Sequence, residues 1–336
     1  MIEYLVIAPL VIFVLLWKTS ALARVVVSCC SKRNIIMVKI ECVVDVPSRI
    51  GESPVWDSRT QTLLWVDIPV GIIHRFTPAD GKHQQIEHGE KIGSFALREN
   101  GGLLIAGDSG LQTFDLETGA RTILHHPEPD MTMNRFNDGV TDNQGRFWVG
   151  TMNDNKDVRG TAPEPTGRFY RFDSDGTCMP WKDNIYTPNG MTFSPDGKRM
   201  YFADSFPERR TIWMCDYDTD TGTPISVPAV FFDTHAIAGR PDGACVDAEG
   251  CYWMAGVGGW QIVRITPQGA VDRIIEMPVE KPTKPIFGGP NLDVMYITSL
   301  VQGLSEADRV TQPLAGGVFA ITGLGVGGLD HVRFAG

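Results

Sequence analysis

Short apolar runs, not long amphipathic stretches, organise this chain. One four-residue pattern recurs six times: Leu64-Trp65-Val66-Asp67, Leu104-Ile105-Ala106-Gly107, Phe147-Trp148-Val149-Gly150, Met200-Tyr201-Phe202-Ala203, Tyr252-Trp253-Met254-Ala255 and Met295-Tyr296-Ile297-Thr298. Each run is rich in aromatic or β-branched residues, which strands favour. The equivalent positions Trp65, Ile105, Trp148, Tyr201, Trp253 and Tyr296 are 40, 43, 53, 52 and 43 residues apart. Turn signals such as Asn143-Gln144-Gly145, Pro195-Asp196-Gly197 and Ala248-Glu249-Gly250 precede the runs. A second strand-like segment follows, as in Gly167-Arg168-Phe169-Tyr170-Arg171-Phe172. A multi-strand unit repeated every 40–50 residues predicts the blades of an all-β propeller, here six, stacked around a central channel. The ring must close. The segment Val38–Val44 is expected to join the last blade, beside either Val318–Ile321 or His331–Phe334.

Composition narrows the function classes. The chain has 336 residues, 43% of them hydrophobic, with a formal net charge of −10. That acidity gives no footprint for nucleic acid. The seven cysteines lack C-x-x-C spacing and are odd in number, so neither a disulfide framework nor a zinc–thiolate site is expected. Scattered thiols suit a reducing cytoplasm.

Residues 1–36 do not share the repeat. Tyr4 to Trp17 is almost wholly apolar but short for a membrane span. Ala21-Leu22-Ala23 looks like a signal-peptidase site, yet Glu3 stands where a basic residue is usual. The favoured reading is a mis-assigned start, with Met37 the natural beginning and residues 37–336 the propeller. Export or membrane anchoring is the alternative.

In a propeller the innermost strand of each blade begins at the channel mouth. Counting eight residues back from the turn glycines 145, 197 and 250 gives Asn137, Asn189 and Asp242, and the matching segment of the first blade offers Glu52. Four oxygen-bearing side chains in one register point to a hard divalent cation on the axis. Aligning glycines 139, 190 and 243 instead would substitute Asp138 for Asn137.

Several segments then resemble the SMP-30/gluconolactonase family: Gly51-Glu52-Ser53-Pro54-Val55-Trp56, Arg135-Phe136-Asn137-Asp138-Gly139, Gly150-Thr151-Met152, Pro188-Asn189-Gly190-Met191, Arg240-Pro241-Asp242-Gly243 and Phe287-Gly288-Gly289. They occur in order from about Met37 to the C-terminus. The resemblance implies a six-bladed propeller with one divalent metal (calcium, zinc, manganese or magnesium) and sugar-lactonase activity. It implies Glu52, Asn189 and Asp242 as metal ligands, Arg135 and Asn137 as substrate-binding residues, and Asp242 as the candidate catalytic base. Some members carry an acidic residue shortly after Gly-Thr-Met, where this chain has Asn153-Asp154-Asn155, so the sugar is left open. The implied substrate is an aldonolactone such as glucono-, galactono-, arabino- or xylonolactone. A phosphotriesterase-like hydrolase and a non-catalytic calcium-binding propeller are the alternatives.

Other signals carry little. The histidines form no H-E-x-x-H pattern. Gly323 to Gly328 matches G-x-G-x-x-G but lies too near the chain end for a following helix. Ser109 lacks a nucleophile-elbow frame.

Overall fold

The computed structural model describes residues 2–4, 38–154 and 164–336. The readings of the apolar N-terminal segment lie outside the described residues, except that Ile2–Tyr4 pairs with Val38–Ile40 at a sheet edge.

The recurrent runs become the second strand of each of six antiparallel sheets. Their inner strands are Gly51–Asp57, Ile92–Leu97, Asn134–Thr141, Pro188–Phe193, Arg240–Val246 and Pro282–Gly288. Each inner strand contacts those of the blades before and after it, and blade 6 contacts blade 1, so the ring is closed. The closing strand is Val38–Val44, which pairs with Val318–Thr322 as the first of the two expected alternatives. The segment around Phe334 instead bridges Arg98 of blade 2.

The repeat reads as near-continuous apolar runs because both faces of each blade are covered. Trp65, Ile105, Trp148, Tyr201, Trp253 and Tyr296 are all buried. One apolar cluster fills each of the six clefts between neighbouring blades; Val55, Leu64 and Val66 of blade 1, for example, meet Phe95, Leu103 and Ile105 of blade 2. Each fully buried large side chain contributes about 1.5–3 kcal/mol. No helix among the described residues is long and apolar enough to cross a membrane, and those residues contain no disulfide.

Candidate functional site

All six inner strands depart from regular pairing at the same place. The register shifts after Glu52, Ile92, Phe136, Asn189, Pro241 and Pro282. A bulge turns side chains out of the pleat, here toward the channel. Ser53 and Gly190, which follow Glu52 and Asn189, both have left-handed backbone, with φ of 50° and 60°. Glycine adopts this conformation freely, whereas Ser53 is strained there.

Glu52, Asn137, Asn189 and Asp242 sit at these bulges and Arg135 lies just before one, and a hydrogen-bonded chain links most of the five. Arg135 Nη1 donates to Asn137 Oδ1 at 2.8 Å. Asn137 Nδ2 donates to Asn189 Oδ1 at 3.0 Å and to the Pro188 carbonyl at 2.8 Å. Asn189 Nδ2 donates to Ser205 Oγ at 2.7 Å, and Ser205 Oγ donates to the carbonyl of Pro241, next to Asp242. Ser205 therefore fixes which way the Asn189 amide points and leaves a lone pair on Oδ1. Asn137, one of the four residues in the shared register and a substrate-binding residue by the resemblance, hydrogen-bonds Asn189 and so orients it.

The carboxylates are buried without enough counter-charge. Burial, then the charges of Asp242 and Asp138, push the Glu52 carboxyl well above the usual carboxylate range; Lys284 and the Ser53 N–H oppose the shift. Burial and then Asp138 push Asp242 up to about 7, against Arg240, Lys284 and the Gly243 N–H. The two registers considered for blade 3 both reach the channel region. Asn137 binds Asn189, while Asp138 forms a buried ion pair with Lys284. Asp138 Oδ2 is buried with no hydrogen-bond partner.

Hard oxygen donors, excess negative charge and an orphaned carboxylate oxygen fit a divalent cation. Among the described residues no three His, Cys, Asp or Glu side chains are grouped to hold a metal. Glu52 and Asp242 would need the Asn189 amide as their third partner.

Arg135 lies at the rim. Its Nε is 3.3 Å from Asp154 Oδ1, and Lys91 Nζ is 2.9 Å from Asp154 Oδ2. These residues line a hollow of about 390 Å³ together with Asp108, His126 and Asn134. Asn155 lies outside the described residues.

Sequence reasoning missed Lys284 and Ser205. Gly145, Gly197 and Gly250 each close a turn with positive φ, and in blade 6 Leu292 does so with φ 54°. Eight positions before Leu292 is Lys284. The count depended on glycine, and leucine at that turn hid the sixth strand.

The SMP-30/gluconolactonase/LRE-like region model matches residues 50–301. The chain is 37% identical over 301 residues to regucalcin of Xenopus laevis, covering 89% of this chain and 99% of that protein. It is 36% identical over 297 residues to 6-deoxy-6-sulfogluconolactonase of Pseudomonas putida, covering 88% and 99%. Its fold matches the crystal structure of a calcium-binding protein, regucalcin, from Agrobacterium tumefaciens with a TM-score of 0.81 and 29% identity, covering 87% of this chain and 96% of that one. The recurrent strands, the bulged axial register and these likenesses agree: the chain belongs to the SMP-30/gluconolactonase family.

Proposed function

We propose that this protein is a divalent-metal-dependent hydrolase that opens an aldonolactone to the aldonic acid, and that residues 37–336 form the whole catalytic ring. The observation that carries this reading is the pair of buried, under-compensated carboxylates, Glu52 and Asp242, beside an oriented Asn189 amide. The Pseudomonas putida relative, a 6-deoxy-6-sulfogluconolactonase by name, supports the substrate class. The Agrobacterium tumefaciens neighbour, described as calcium-binding, supports the metal.

Glu52, Asn189 and Asp242 would hold the ion, which supplies Lewis-acid polarisation of the lactone carbonyl when bound. Asp242, ionised once the ion is bound, would be the group that carries a proton between water and substrate. It takes a proton from water as the oxygen bonds to the carbonyl carbon. It returns that proton to the ring oxygen as the ester C–O bond breaks, which balances the hydrolysis. Arg135 presents a planar set of donors to sugar hydroxyls. Asn137 keeps Arg135 and Asn189 in fixed relation through one amide.

The test uses metal-stripped protein, the four aldonolactones named above and a phosphotriester, each with calcium, zinc, manganese or magnesium. Ion-dependent opening of at least one aldonolactone is expected. No lactone turnover with any ion contradicts the reading, and turnover of the phosphotriester alone moves the activity to another ester.

A further inference from the structure

Lys284 is a buried cation with an unusual reach. It starts on the bulged inner strand of blade 6 and ends on blade 3, which is opposite in a ring of six. Its ammonium donates to Asp138 and, at 3.1 Å, to the carbonyl of Gly139. Both side chains of the pair are more than nine-tenths buried. The stem passes over Gly243, where a Cβ would clash with the Lys284 side chain, so the glycine after Asp242 makes room for it. Beyond this crossing lies a cavity of about 130 Å³, lined in part by Leu329–Val332. The crossing therefore forms a floor beneath Glu52, Asn189 and Asp242.

We propose that Lys284 is a positioning residue that matches the charge of the axial site to one divalent ion. With the ion bound, Glu52, Asp138 and Asp242 would carry three negative charges and Lys284 one positive, so these four buried groups sum to −2, which one divalent ion neutralises; Arg240, only half-buried beside Asp242, is screened by solvent and lies outside the count. Without the ammonium the sum is −3; without Asp138 it is −1. Asp138 and Lys284 then act through net charge and not as ligands. This inference rests on the metal-site reading above.

Charge matching predicts an order of affinities, and each unit of charge in a buried site shifts divalent-ion affinity on the order of tenfold or more. Calorimetric titration at pH 8 with calcium, and separately with manganese, reads that order on metal-stripped protein. Lys284→Met should bind both ions at least tenfold more tightly than wild type, and Asp138→Asn at least tenfold more weakly. The double variant Asp138→Asn/Lys284→Met restores the sum of −2 and should return to within about threefold of wild type. If Lys284→Met fails to fold because Asp138 is left unpaired, the double variant against Asp138→Asn still decides. A double variant as weak as Asp138→Asn, or Lys284→Met no tighter than wild type, overturns the proposal. Absence of ion binding in wild type overturns the metal site itself, and this inference with it.

Discussion

Two acidic clusters in this propeller each gather three carboxylates around a buried cation, and they differ in satisfaction. In blade 5, Asp247 is fully buried and every demand on it is met. Its Oδ2 accepts from Arg264 Nε and Trp253 Nε1, each at 2.8 Å, and its Oδ1 accepts from the backbone of Glu249 and Cys251. Arg264 also pairs with Glu249 and Asp272. At the axis, three carboxylates face one ammonium; Glu52 and Asp242 are pushed toward protonation, and Asp138 keeps an orphaned oxygen. A satisfied network holds the strands of its own blade together. A deficient one stores a demand that a ligand can meet.

The sharpest break in this contrast is Asp242→Ala. Turnover should fall by at least about 10³-fold with no measurable metal binding, since one substitution removes a ligand and the proton carrier. The metal-free variant should melt no lower than metal-free wild type. Kinetics and thermal melts check both halves, and a metal-free variant that unfolds early would make Asp242 a structural residue like Asp247.

Asp247→Ala should do the reverse. Leaving Arg264 and the Trp253 N–H without their buried partner should cost about 3–5 kcal/mol of stability, seen in chemical denaturation. Ion affinity of the folded variant should stay within a few-fold of wild type. A variant of wild-type stability would remove the contrast from this side.

Glu52→Gln keeps shape and an oxygen but removes one charge. Metal affinity should drop at least about tenfold, or ~1.4 kcal/mol, while metal-free stability is unchanged or higher because repulsion with Asp242 is relieved. Unchanged affinity would make Glu52 only a loop residue.

The smallest effect is the pH dependence of the metal-free protein. Asp242 titrates higher in the folded chain than in the unfolded one, so the folded state binds the proton more tightly. Its contribution is therefore present at acid pH and lost as pH rises toward about 7. Asp242→Asn lacks this loss. Its stability relative to wild type should therefore be greater at pH 8 than at pH 4.5, as melting curves at both pH values would register. A constant difference would mean the carboxyl is not perturbed.

The blade count, the closing strand and the shared register of Glu52, Asn137, Asn189 and Asp242 could be read from the sequence because each left a mark: apolar runs buried on both faces, or a polar residue at a fixed distance from a turn or in the matching segment of its blade. The Asn137–Asp138 ambiguity could not be resolved that way, since a bulge sends both residues toward the channel region. Lys284 and Ser205 were hidden for different reasons. Leu292 holds the turn conformation usually left to glycine. Ser205 lies just past a second strand, outside the inner-strand register, and acts only through Asn189 and Pro241.

On the proposed reading, the axial deficit is a metal site held partly protonated until the ion arrives. Calorimetric calcium titration of metal-stripped protein at pH 6.5, repeated in two buffers of different ionisation enthalpy, tests it directly. One ion per chain, proton release on binding, and loss of both in Asp242→Ala are expected. No binding, or binding that releases no proton and survives Asp242→Ala, would contradict it.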